Sequence, residues 1–214
     1  MKRNVFLLVG LFLLHLSSYA QDAKASAILD AMSAKYKAMK TFKADFAYTP
    51  VSSAGKLGRK RMGDIAVKGI KFKLNMVGQE IFNNGSEIYS FVKETNEVNV
   101  TEFDASADSQ FSPANIYSIY KKGYKYTYKG EKNLGTTKCD VIELIPLKGN
   151  GNVKKLEIAV NKSNKEIKQW KLWDGNGSQT VFDIIQFTPN VPLSDSFFTF
   201  NTAKYPGVEV VDLR

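Results

Sequence analysis

Histidine and cysteine are almost absent from this chain of 214 residues, which holds one of each. The histidine, His15, falls inside an apolar leader. The mature chain therefore has no imidazole for a Ser-His-Asp triad, a Cys-His dyad or a zinc site, which removes most hydrolases. The single thiol, Cys139, lies in a β-patterned run from Thr137 to Ile145 and reads as a small buried hydrophobe, and no disulfide can close within one chain. Long apolar runs are missing too. The longest, Val5 to Leu16, is shorter than the ~20 residues that span a bilayer. Lys2 and Arg3 precede it and Ser18-Tyr19-Ala20 follows it, the pattern of a secretory signal cleaved after Ala20. Residues 1–20 are thus expected to be removed. With no cysteine at the cleavage point, the product is expected to be an unlipidated, soluble periplasmic protein. Gly130-Glu131-Lys132-Asn133-Leu134-Gly135-Thr136 has the glycine spacing of a phosphate loop but lacks its lysine, so it reads as a hairpin. Asp45, Asp64, Glu87 and Asp183 occur in ordinary strand or turn contexts, with no spacing that marks a catalytic pair. The chain is not expected to be an enzyme.

What is present is β pattern and positive charge. Lysine and arginine number 30 against 21 acidic residues. Removing Lys2 and Arg3 leaves 28 − 21 = +7. In an exported protein this balance favours anionic headgroups or acidic partners over nucleic acid, while a merely solvated lysine-rich surface also accounts for it. Lys56, Arg59, Lys60 and Arg61 form a basic tip among glycines and serines, suited to phosphate groups or an acidic partner, or else a solvated hairpin. With 43% hydrophobic and 24% charged residues, residues 21–214 are expected to form a single globular domain.

Ile28, Leu29, Met32, Tyr36 and Met39 recur at helical spacing after Asp22, predicting an amphipathic helix from Ala23 to Lys40. Phe42, Phe46 and Tyr48 then share one face of a strand. From Gly63 to Val100 the chain reads as a β-meander, with Phe72, Leu74 and Met76 alternating with Lys71, Lys73 and Asn75. Asn83-Asn84-Gly85-Ser86 has the residues of a type I′ hairpin turn. Ser112-Pro113 opens a second helix carrying Ile116, Tyr117, Ile119 and Tyr120, stopped by Gly123. Strand pattern returns from Tyr124. Asp174-Gly175-Asn176-Gly177 turns the run from Ile167 to Trp173 back on Thr180 to Phe187, and a last extended region begins at Phe198 and Phe200. About ten antiparallel strands and two covering helices define a mainly β fold.

This order resembles the periplasmic outer-membrane lipoprotein carrier family, LolA, over nearly the whole mature chain. The resemblance rests on Ala27-Ile28-Leu29-Asp30-Ala31-Met32, Thr41-Phe42-Lys43-Ala44-Asp45-Phe46, Gly63-Asp64-Ile65-Ala66-Val67-Lys68, Asn84-Gly85 with Glu87-Ile88-Tyr89, and the ending Tyr205 to Arg214. It implies an unclosed antiparallel β-barrel or strongly curved sheet with a helical lid. It also implies a monomeric carrier without cofactor or metal. Such a carrier ferries lipoproteins by their acyl chains from an inner-membrane ABC exporter to an outer-membrane receptor. One departure stands out. The family places a lid-holding arginine after the Val-Lys of the meander strand, where this chain has Gly69. Lys68, Lys71 or Arg59 can substitute only if the fold brings one of them to the lid.

On this reading the acyl chains contact inward residues of the strands. These are Phe42, Phe46, Ile65 and Val67, then Phe72, Leu74 and Met76, then Tyr89, Phe91, Leu156 and Ile158. Ile116, Tyr117 and Tyr120 belong to the lid. In a purely structural β-domain the same residues are permanent core. Two other functions fit the pattern: a carrier of another amphiphile, such as a glycolipid or lipid-linked pigment, and a non-catalytic envelope scaffold.

Overall fold

The computed structural model describes residues 23–104, 114, 116–121, 123–147 and 153–214. The leader, Asp22 and the Ser112-Pro113 helix start lie outside them. Residues 23–37 form one α-helix, α1. Its Ala25, Ile28, Leu29, Met32 and Tyr36 are buried, while Lys24, Asp30 and Lys37 face solvent, the one-sided burial that the 3.6-residue period predicts.

Twelve strands follow: β1 (Phe42–Val51), β2 (Arg61–Lys68), β3 (Lys71–Met76), β4 (Gln79–Asn83), β5 (Glu87–Val92), β6 (Glu97–Glu102), β7 (Tyr124–Leu134), β8 (Thr137–Pro146), β9 (Lys155–Asn161), β10 (Ile167–Trp173), β11 (Gln179–Pro189) and β12 (Glu209–Asp212). They make one unclosed, curved sheet in the order β12-β6-β5-β4-β3-β2-β1-β11-β10-β9-β8-β7. Two antiparallel meanders, β1 to β6 and β7 to β11, are joined by the long-range pairing of β1 with β11. The sheet is not wholly antiparallel as expected, because β12 lies parallel on β6, with Val210 opposite Val98.

The β4–β5 connection also differs from the expected two-residue turn. The ladder closes at the pair Asn83–Ile88, leaving residues 84–87 between them; Asn83 Oδ1 accepts from the Gly85 N–H at 2.7 Å, and Asn84 Oδ1 accepts from the Ser86 and Glu87 N–H groups at 2.9 Å each. Asparagine side chains supply the turn's hydrogen bonds, and Gly85 supplies its positive φ of 99°. A close approach fixes a second glycine. A Cβ at Gly63 would stand 2.6 Å from Phe46 Cζ and 2.7 Å from the Asn75 carbonyl oxygen, so only glycine lets the Phe46 ring lie flat across β2.

The region of the expected second helix is not α-helical where it is described. Residues 116–118 are turn and Ile119–Lys121 is a single 3-10 turn. Isoleucine and tyrosine are weak helix formers, and a segment this short relies on packing for whatever shape it takes. The last region is likewise not simply extended. Asp195–Phe198 and Thr202–Lys204 are 3-10 turns leading to β12.

The two faces of the sheet are finished differently. Cross-strand partners share a face, so the pairings Phe42–Val67–Phe72, Ala44–Ile65–Leu74 and Trp170–Ile158–Ile142 define the concave side. There α1 packs on Ile142, Leu144, Leu156, Ile158, Val160 and Ile167 to form the main core. On the convex side, residues 190–208 form a strap that leads into the edge strand β12. Lys68 and Lys71 pair with Asp195 at 2.9 and 3.2 Å, and Phe82, Phe91, Val98 and Phe200 make a second apolar cluster. The other half of the convex side carries Lys132, Glu157 and Lys171, with Lys132 and Lys171 both paired to Glu157.

Candidate functional site

An apolar cavity of about 160 Å³ lies on the concave face where the two meanders meet. Its floor is Phe42, Ala44 and Phe46 of β1 and Ile65, Leu74 and Met76 of β2 and β3. Trp170, Leu172, Phe182, Ile184 and Phe187 of β10 and β11 complete the floor, and Tyr36 of α1 and Ile116 stand over it. These residues converge because β1 and β11 pair at the centre of the sheet, so the alternating side chains of five adjacent strands point into one hollow. The rings interlock at its ends. Tyr36, Phe42 and Phe187 contact one another with centroids 5.4–5.5 Å apart, and Phe182 lies 5.8 Å from Phe46 and 5.5 Å from Trp170.

The cover is fastened by polar contacts at its margin. The Ile167 N–H donates to Tyr36 Oη at 3.2 Å, and Tyr117 stacks on the Tyr36 ring at 5.4 Å and 11°. Tyr120 Oη donates to Asp30 Oδ1 at 2.7 Å, with Lys121 Nζ 3.7 Å from the same oxygen. Lys35 Nζ reaches Glu166 Oε1 at 2.9 Å and the Asn164 carbonyl at 2.8 Å. The hydrogen bond from Tyr120 is the chief reason that Asp30 titrates below the ordinary aspartate range. Burial pushes the Tyr36 hydroxyl up. Burial, followed by the bond to Asp30, does the same to Tyr120. These groups hold surfaces together.

Six of the fourteen residues proposed from the sequence line this cavity: Phe42, Phe46, Ile65, Leu74, Met76 and Ile116. Val67, Phe72, Leu156 and Ile158 lie in the adjoining core under α1, and Tyr117 and Tyr120 pack at its edge. Tyr89 and Phe91 are a correction. They stand on the convex face, stacked or tilted against Phe200 and Tyr205. The pairings Leu74–Ile81–Ser90 put Ser90 inward and leave its two neighbours outward. β5 carries apolar side chains on both faces, Ile88 and Val92 on one and Tyr89 and Phe91 on the other, so its alternation alone does not name the inward side. Ala44, Trp170, Leu172, Phe182, Ile184 and Phe187 were missed. The alternation Trp170/Leu172 and Phe182/Ile184 carried the signal, but nothing local to those strands says that β11 pairs with β1.

Gly69, in the position of the family's arginine, has φ 59° at the tight β2–β3 turn. Lys68 and Lys71 are turned to Asp195 on the convex strap, with Lys68 Nζ also donating to the Leu193 carbonyl at 3.1 Å. Neither reaches the lid, and Arg59 lies exposed in the β1–β2 loop. The cover is held instead by the contacts of Asp30, Lys35 and Tyr36.

An open sheet with a helix lying in its concavity, above an apolar hollow, is the architecture of the lipoprotein-carrier class. The chain belongs to the LolA family: residues 37–201 match the family described as outer membrane lipoprotein carrier protein LolA. An uncharacterized conserved protein from Thermus thermophilus shares the fold, with a TM-score of 0.59, 11% identity, and coverage of 88% of this chain and 99% of that one. The LolA superfamily protein NE2245 from Nitrosomonas europaea superposes with a TM-score of 0.43 at 14% identity, over 82% and 97% of the two chains. The uncharacterized protein MJ0687 from Methanocaldococcus jannaschii is 29% identical over 145 residues, which is 66% of this chain. This chain spans 42% of that relative's length. No helix among the described residues is long and apolar enough to cross a membrane.

Proposed function

We propose that this protein is a periplasmic carrier whose mature single domain, residues 21–214, takes the acyl chains of lipoproteins. In this reading it receives them from an inner-membrane ABC exporter and passes them to the outer membrane, directly or through a receptor. The observation that carries the reading is the apolar hollow at the β1–β11 junction, with Tyr36 of α1 and Ile116 standing over it. Burying one ~16-carbon chain releases on the order of 12 kcal/mol, enough to keep a lipid-modified protein off water. Unloading then depends on a partner offering comparable apolar cover, and the energy for loading comes from the exporter. The test is denaturing mass spectrometry of the protein purified from its native envelope, together with lipoprotein sorting after its depletion. Co-purified lipoproteins and mislocalised lipoproteins are the expected results. A free glycolipid or pigment in their place assigns a different cargo, and unchanged sorting on depletion refutes lipoprotein carriage.

A further inference from the structure

Consecutive antiparallel strands reverse direction, so the connections β1–β2, β3–β4, β5–β6 and β10–β11 all fall on one rim of the sheet. Leu147 and Lys154, at the two described ends of the β8–β9 connection, fall on the same rim. Three large apolar side chains stand out from it into solvent: Leu57 at 71% exposure, Leu147 at 68% and Val77 at 61%. The β1–β2 connection on this rim, which bears Leu57, also carries Lys56, Arg59, Lys60 and Arg61, all exposed. Among the described residues none of these four makes an ion pair. Arg59 and Arg61 are two of the four arginines in the sequence.

The loop bearing Leu57 has a defined shape. The Ser52 N–H donates to the Lys56 carbonyl at 3.0 Å, the Gly55 N–H to the Ser52 carbonyl at 2.8 Å and the Gly58 N–H to the Pro50 carbonyl at 2.7 Å. Leu57 bridges back to Val51. The backbone is satisfied by its own loop, which leaves the side chains of Lys56 and Leu57 free to project. Between this loop and the β10–β11 turn is an open groove of about 480 Å³, whose walls include Lys56, Leu57, Leu172 and Asp174. Leu172 also walls the apolar cavity, so the groove at this rim and the hollow share a wall.

We propose that this rim seats the protein on an anionic phospholipid bilayer, with Leu57, Val77 and Leu147 entering the interfacial zone and Lys56, Arg59, Lys60 and Arg61 on the lipid phosphates. A bilayer satisfies both halves of the rim, since headgroups take guanidinium and ammonium groups while the acyl boundary takes isolated apolar tips. The surface of an acidic protein would answer the charges and leave those scattered tips in water. The inference rests on the carrier reading only for its purpose, which is to bring the cavity close to the membrane during transfer.

The test is co-sedimentation of the unloaded protein with phosphatidylcholine vesicles that contain phosphatidylglycerol at roughly the anionic fraction of a bacterial membrane. The protein should bind these and not pure phosphatidylcholine, and binding should weaken steeply as salt shortens the screening length to a few ångströms. Each basic residue removed should lower the partition coefficient about fivefold, so the combined change Lys56→Gln, Arg59→Gln, Lys60→Gln and Arg61→Gln lowers it by two orders of magnitude or more. Leu57→Asp should lower it without altering the melting temperature, since the side chain is solvent-exposed. Absence of phosphatidylglycerol-dependent binding, or equal binding by the quadruple variant, overturns the proposal; binding to a soluble acidic protein in its place assigns the rim to a protein partner. Titration of an apolar dye into the cavity, run in parallel, reads the carrier proposal separately. Dye uptake without vesicle binding refutes the docking rim alone, and vesicle binding without dye uptake refutes the carrier while docking stands.

Discussion

Removing the Tyr120 hydroxyl should make this protein bind acyl chains more tightly, because the cavity as it stands is too small for its proposed cargo. A hollow of about 160 Å³ is the size that accommodates benzene, and a ~16-carbon chain has nearly three times as many carbons. Loading therefore requires α1 or the 116–121 segment to leave the concave face. Tyr120 ties the two together through its 2.7 Å bond to Asp30, and it does not line the cavity. A hydrogen bond to a carboxylate contributes about 1.5–3 kcal/mol. The Asp30 side chain is 56% exposed, so screening by water brings the expected value down to about 1 kcal/mol. If the loaded state lacks this contact, Tyr120→Phe raises the open population about fivefold and lowers the apparent Kd by the same factor. Equilibrium titration with a fluorescent fatty-acid probe measures the affinity, and thermal unfolding should show a lower Tm. Asp30→Asn should reproduce the effect, and the double variant should not add to it. A Tyr120→Phe protein that melts lower yet binds the probe no more tightly than the parent would refute the idea that the cover must move.

Three further perturbations probe the same geometry. Ala44→Leu places three more carbons in the hollow; it should stabilise the unloaded protein by up to about 2 kcal/mol in denaturant titration while weakening probe binding, and a loss of stability would show that no usable space exists beside Ala44. Raising the pH should release α1. Burial raises the pKa of Tyr36 above its ordinary value, so its contribution is intact below about pH 10 and is lost as the pH climbs through the folded-state value. Tyrosinate absorbance near alkaline unfolding should follow this loss, and an identical profile in Tyr36→Phe would exclude Tyr36 as its source. Gly63→Ala should cost about 1–3 kcal/mol by driving a methyl group into the Phe46 ring and the Asn75 carbonyl; an unchanged urea midpoint would refute the close approach.

How much of this was legible in the sequence depended on the range of the interaction. The helix from residue 23 was readable because Ile28, Leu29, Met32 and Tyr36 repeat within its own turns, and β1 because Phe42 and Phe46 sit an even number of residues apart. The β10–β11 hairpin was readable because asparagine and glycine at Asn176 and Gly177 carry their own backbone preference. Pairings between distant segments left no local mark. Nothing around Phe182 or Ile184 specifies β1 as a neighbour, so half of the cavity wall was invisible. Ala44 was passed over for its size, although in a cavity a small side chain is what leaves the space. Tyr89 and Phe91 were assigned to the wrong face because β5 carries apolar side chains on both faces, Ile88 on one and Tyr89 and Phe91 on the other, so its alternation alone does not name the inward side. The parallel pairing of β12 and the role of Lys68 and Lys71 at Asp195 depend on a strap that crosses strands remote in the chain.

The magnitudes also account for a cover held by tyrosine and lysine contacts at its margin. Displacing α1 exposes Ile28, Leu29, Met32 and Tyr36, all buried in the unloaded state. At about 1.5–3 kcal/mol for each large apolar side chain, the four together hold the helix down by roughly 6–12 kcal/mol. An acyl chain of ~16 carbons that replaces them brings on the order of 12 kcal/mol. The exchange of helix for chain is thus close to balanced, and the smaller polar contacts of Tyr120 with Asp30, Lys35 with Glu166 and Tyr36 with Ile167 decide its direction. A carrier needs that balance, since a cover much tighter than its cargo would never load and one much looser would never release. Gly69 sits in a tight turn and its lysine neighbours, Lys68 and Lys71, are committed to Asp195, so the β2–β3 turn sends no cation to α1. On the carrier proposal the tuning therefore rests with residues on the cover and on the β9–β10 turn, which can be varied one hydrogen bond at a time without disturbing the sheet beneath.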